Sequence, residues 1–132
     1  MKSRDTLIRL KRFQAEEKRR RVAQIEAMIA EFSRMCTDLD REIATEEQKS
    51  GNSDPAHFAY STYARAARTR RDNLSNSSGE LRTQLDEAKS QLREAQEELA
   101  KVQSLEGREK SGERIVDLSR DGELMTLRPA GA

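Results

Sequence analysis

The chain has 132 residues, with 25 basic and 24 acidic side chains, a formal net charge of +1 and only 4% aromatic residues. Leu, Ile, Val and Phe fill just 23 positions, too few for a conventional globular core, yet the balanced charge argues against a self-repelling disordered chain. No apolar run approaches the roughly 20 residues of a membrane span, Cys36 has no second cysteine to pair with, and no secretory leader is visible, so one cytoplasmic unit is expected.

Ala, Glu, Lys, Leu and Arg make up 68 of the 132 residues, the composition of long helices and coiled coils. The first 50 residues lack both Gly and Pro and are expected to form a helix over about 4–50. Val22, Ile25, Ile29, Phe32, Cys36, Leu39 and Ile43 follow one another at spacings of three and four. That spacing is the coiled-coil condition, because it keeps one side of a slightly underwound helix against a partner. Continued backwards, the frame takes in Lys18, Ala15, Lys11 and Ile8.

Ser50-Gly51-Asn52-Ser53-Asp54-Pro55 is the first strong breaker cluster, and a turn is expected over 50–55. Asp54 suits an N-cap and Pro55 the first helical position, where its missing N–H is no loss. The second helix is therefore expected over about 55–106. Leu74, Leu81, Leu85, Ala88, Leu92, Ala95, Leu99 and Val102 share one heptad frame, which runs backwards through Ser78, Arg71, Ala67 and Ala64 to Tyr60. Ser75-Asn76-Ser77-Ser78-Gly79 is helix-poor, with Gly alone costing about 1 kcal/mol against Ala. The frame nevertheless crosses it in register, which favours a continuous but locally weak helix over a second turn. From Gly107 onward the Gly-interrupted residues 107–132 read as a polar, disordered tail in which Ile115, Val116 and Leu118 could form a short docked helix.

Charge orients the two helices. Residues 1–21 carry +6, residues 26–47 carry −5, residues 55–79 carry +3 and residues 80–106 carry −3. Folding at Gly51 lays opposite signs side by side, whereas a parallel homodimer would stack +6 on +6. The fold class expected is all-α: a long antiparallel two-helix coiled-coil hairpin over 1–106 with a flexible C-terminal tail. At about 1.5 Å per residue its arms would be roughly 70–80 Å long.

Catalysis has little to work with. His57 stands at the expected start of the second helix without a metal-ligand partner at suitable spacing, and reads as a solvated residue. Cys36 falls in the seam, where a free cysteine packs as a small hydrophobe. The six glycines are scattered, so no phosphate-binding loop forms, and no enzyme activity, cofactor or metal is expected.

Side chains outside the seam carry more information. Leu7, Leu10 and Phe13 recur every three residues off the seam, and Phe58 and Tyr63 flank Tyr60 near the bend. Exposed apolar and aromatic anchors of this kind are what partner surfaces use. Two blander readings stand beside that one: the Ile115–Leu118 stretch folding back over Leu7, Leu10 and Phe13, and tip packing for Phe58 and Tyr63. The basic run Lys18-Arg19-Arg20-Arg21, with Arg9, Lys11 and Arg12, admits three readings: a protein contact, a complement to the acidic helix, or a nucleic-acid footprint. The near-zero net charge and scarcity of aromatic residues disfavour the last.

Several of these residues together resemble the flagellar type III export protein FliJ family, especially its short alphaproteobacterial members. The likeness spans roughly residues 1–106. It rests on the opening Thr6-Leu7-Ile8-Arg9-Leu10-Lys11-Arg12, the basic Lys18–Arg21 run leading into Val22 and Ile25, and Phe58-Ala59-Tyr60 with Tyr63 before an Arg-rich helix. The resemblance implies a stalk similar to that of rotary ATPases, binding within the hexameric export ATPase and contacting the cytoplasmic domain of the membrane export gate. It implies further a role in recycling export chaperones, in the cytoplasm, peripheral to the inner membrane at the flagellar basal body. On that geometry Leu7, Arg9, Leu10, Arg12, Phe13, Arg19, Arg20 and Arg21 would meet the ATPase, and Phe58, Tyr60 and Tyr63 the gate. The alternatives are a generic coiled-coil scaffold or oligomerisation protein and, behind it, a small nucleic-acid-binding rod.

Overall fold

A computed structural model describes the backbone of residues 2–125 and the side chains of residues 3–112. Two helices make up the fold: α1, Lys2–Ser50, and α2, Thr62–Met125. They pack antiparallel as a coiled-coil hairpin, and the expected seam is the observed one. Ile8, Ala15, Val22, Ile25, Leu39 and Ile43 of α1 are buried, as are Ala64, Ala67, Ser78, Leu81, Ala88, Ala95 and Val102 of α2, with Tyr60 just before α2. The intervening heptad positions of both helices are half-buried. Alternation of Leu with Ala along α2 gives α1 shallow sockets to fill.

The chain divides into two compact units. Residues 17–92 contain the bend and both apolar clusters. Val22, Ile25, Leu81 and Ala88 form the first, with Ile29, Phe32, Leu85 and Leu92 packed on it; Ile25 is only 1% exposed. Leu39, Ile43 and Ala67 form the second, with Leu74 beside them. Residues 1–16 with 93–132 form the other unit, where the buried apolar set thins to Ile8, Ala15, Ala95 and Val102.

The charged members of the seam and Cys36 have partners. Lys11 Nζ pairs with Glu98 Oε2 at 2.9 Å, and Lys18 Nζ donates to Gln91 Oε1 at 3.3 Å. Arg71 reaches Asp40 at 3.0 Å and Asp72 at 2.9 Å, while the Cys36 thiol donates to the Arg71 carbonyl. These cations are half-buried at their seam positions, as long cationic side chains can be when the alkyl stem packs and the charged head stays paired. Arg4 pairs with Glu109 in the same antiparallel sense.

Two boundaries differ from expectation. The second helix starts at Thr62, not near Pro55. Opposite residues 55–59, α1 has already ended at Ser50, and a helical turn there would have no packing partner to support it. The second helix also continues past Glu106, through Gly107 and Gly112, to Met125. The tail expected from Gly107 is therefore helical that far, because a penalty of about 1 kcal/mol per glycine is too small to end an established helix. Residues 126–132, and the side chains of Ile115, Val116 and Leu118, lie outside the described residues. The helix-poor stretch at Ser75–Gly79 stays helical and Ser78 is buried in the seam. Among the described residues no helix is long and apolar enough to cross a membrane.

Candidate partner-binding surfaces

The bend is built by local hydrogen bonds. Gly51 closes α1: its N–H donates to the Glu47 carbonyl at 3.0 Å and its φ is +72°, the left-handed conformation that a helix C-cap favours and only Gly adopts freely. Asp54 N–H then donates to Asn52 Oδ1, and Ala56 N–H to Asp54 Oδ1, both at 3.0 Å. Two successive turns follow, His57 N–H to the Asp54 carbonyl and Tyr60 N–H to the His57 carbonyl. Asp54 thus caps a turn, whereas the cap of α2 is Ser61, whose Oγ accepts from Ala64 N–H at 3.2 Å.

Tyr60 anchors this loop. Its ring is 4% exposed, and the Arg65 and Arg68 guanidinium carbons lie 5.4 and 5.9 Å from the ring centroid. Its hydroxyl donates to Glu47 Oε1 at 2.7 Å and accepts from Arg68 Nε at 2.8 Å. Arg68 Nη2 closes the triangle on the same Glu47 oxygen at 2.8 Å. Arg68, and then Tyr60, hold the Glu47 carboxyl below its ordinary value, and the same bonds raise Arg68. Tyr60 is therefore not part of an exposed contact surface. That corrects the expectation that it meets a partner, and the reason is its seam position one residue before the α2 cap.

Its neighbours in sequence are exposed. Phe58 is 94% exposed and its ring stacks on His57 with centroids 4.7 Å apart. His57 Nδ1 accepts from Ala59 N–H at 3.0 Å, which fixes the imidazole that carries this stack. Tyr63 is also exposed and donates to Glu42 at 3.2 Å, a bond that pushes its phenol pKa up. Beside Tyr63 runs a groove lined by Leu39, Glu42, Ala66, Ala67 and Arg70.

In the unit that holds the terminal segments, Leu7, Leu10 and Phe13 are exposed, Phe13 at 59%, and Leu105 of α2 is exposed as well. Arg9 and Arg12 alternate with them on α1 and are exposed too. Arg19, Arg20 and Arg21 belong to the other unit and are exposed, with Arg20 paired to Glu17 at 3.2 Å. Sequence reasoning missed Glu47 and Arg68. Their signal was present: they are opposite charges at flanking positions of the two heptad frames, but only the bend geometry shows that they meet. Among the described residues no group of three His, Cys, Asp or Glu is placed to hold a metal ion.

Comparison with protein-family models, curated proteins and solved structures gives no match.

Proposed function

We propose that this chain is a non-enzymatic coiled-coil component of a flagellar type III protein export apparatus. In this reading it is a cytoplasmic stalk, peripheral to the inner membrane at the basal body. It binds the export ATPase ring and the cytoplasmic domain of the export gate, promotes export of flagellar proteins, and serves export chaperones. One observation carries the reading: apolar side chains left outside a complete seam gather in two separate stretches, Leu7, Leu10 and Phe13 early in α1 and Phe58 with Tyr63 at the bend. Isolated surface hydrophobes need no explanation, but paired groups of them, with cations alternating in one, have the makeup of docking anchors. The resemblance in residues 1–106 supplies the partners.

Purified chain added to the cognate export ATPase should raise its rate of hydrolysis, and Arg19, Arg20 and Arg21 changed together to Glu should weaken that effect while helicity is retained. An unchanged rate on adding wild-type chain rejects the stalk reading. Mass that climbs with concentration in sedimentation, together with that result, points instead to a generic scaffold.

A further inference from the structure

The loop between the helices is ordered far beyond what connecting them requires. Helix–helix connections in bundles usually take about 2–8 residues, while this one runs from Gly51 to Ser61. Most of it, from Ser53 to Ala59, is solvent-exposed, so no packing of its own side chains holds it in place. Order comes from the chain of backbone bonds described above and from one buried side chain, Tyr60. The guanidinium groups of Arg65 and Arg68 lie near that ring, and its hydroxyl is shared by Glu47, which is only 15% exposed, and Arg68. What this order presents to solvent is a bare phenyl ring two residues away.

We infer that the Glu47–Tyr60–Arg68 network is the positioning device for Phe58. It pins the end of the loop to both helices, so that the stacked His57–Phe58 pair projects in one orientation as an anchor for an apolar pocket on the partner. Tyr60, Glu47 and Arg68 are positioning residues that act through Phe58 and make no partner contact themselves. The alternative, a tyrosine hydroxyl that is merely satisfied on burial, requires one partner, whereas here Glu47 and Arg68 both bond the hydroxyl and each other. The near-neutral tip, where Asp54 is the sole charged side chain between Lys49 and Arg65, suits insertion into an apolar site. Preorganising the anchor spares the ordering penalty that a floppy loop meets on binding. The inference rests on the proposed docking at the bend, and its partner is the cytoplasmic domain of the export gate.

Tyr60→Phe keeps the ring buried and the Glu47–Arg68 ion pair intact while removing the hydroxyl bonds. Amide exchange of residues 54–61 should quicken about tenfold, the change expected when about 1.4 kcal/mol of local stability is lost, with helix protection unchanged. Affinity for the purified gate domain should fall several-fold. Phe58→Ala should abolish binding yet leave loop exchange untouched, and adding Tyr60→Phe to Phe58→Ala should change binding no further. Unaltered loop exchange in Tyr60→Phe overturns the lock, and quicker exchange with unchanged affinity overturns its role in binding. Wild-type affinity in Phe58→Ala removes the docking reading itself, and the inference falls with it, whatever the exchange data say.

Discussion

Among single residues, Glu47 has the most informative environment. Arg68 and the Tyr60 hydroxyl both stabilise its ionised form and lower it below its ordinary value of 4.5. A carboxyl whose folded value is depressed adds stability above its unfolded value, and that contribution disappears as pH falls through the folded one. Glu47→Gln should therefore melt below wild type at pH 7, and the two melting temperatures should converge only as pH falls below the ordinary carboxyl value and through the lowered value of Glu47. Glu98, held low by Lys11, titrates in the same direction, so both proteins lose stability in acid and only their difference reports Glu47. A constant gap across the titration would show that the carboxylate is not the interacting form. Legibility at this scale was uneven. Phe58 and Tyr63 were readable as exposed because they miss the seam frame, and the burial of Tyr60 followed from belonging to it, which its assignment to the gate contact overlooked. Its bonds to Glu47 and Arg68 were not readable, since they join residues 13 and 8 positions away through the shape of the bend.

Glycines separate the elements into ends and interiors. Gly51 sits at φ +72°, where any residue with a Cβ is strained by about 1–2 kcal/mol. Gly79 lies inside α2, and a Cβ built there meets no atom within 4 Å. Gly51→Ala should therefore lower stability by about 1 kcal/mol, whereas Gly79→Ala should raise it by roughly 0.5–1 kcal/mol. Paired thermal melts should move in opposite directions by about 3–5 °C; a loss in Gly79→Ala would mean that the helix-poor stretch is needed as it is. The heptad made α1 and the interior of α2 legible, because a period of 3.5 can be counted without knowing any contact, and the alternating charge blocks made the antiparallel sense legible. The true start of α2 was not, because Asp54-Pro55 has the chemistry of a helix start and uses it for a turn. Only the end of α1 at Ser50 leaves residues 55–59 with nothing to pack on. The continuation through Gly107 and Gly112 escaped for a related reason: breaker residues mark where a helix is weak, and neighbouring helix formers decide whether it stops.

Across the whole molecule, each of the two units is stabilised from within by different means. Both apolar clusters lie in residues 17–92, while the unit of residues 1–16 and 93–132 places Lys11 in its seam and leaves Leu7, Leu10, Phe13 and Leu105 exposed. Local stability follows buried apolar contact density, so amides of residues 4–16 and 93–105 should exchange faster than those of residues 22–45 and 64–90. Lys11→Leu tests the cause. It removes an ion pair to Glu98, an exposed carboxylate, and such a pair contributes about 0.2–1 kcal/mol. It adds a leucine on a mostly buried stripe, where full burial is worth about 1.5–3 kcal/mol. Glu98 is left in water, so no buried charge is stranded, and the net gain should be about 1 kcal/mol with slower exchange confined to residues 4–16 and 93–105. A charged residue in a seam can set register and partner number at the expense of stability, a role Lys11 would share with Lys18 and Arg71. The same variant should then show a higher-mass species in sedimentation that wild type lacks. Greater protection without any new species would leave Lys11 as a weak point of the seam and remove register control as its purpose. Lower stability would mean that the Lys11–Glu98 pair outweighs the leucine it displaces.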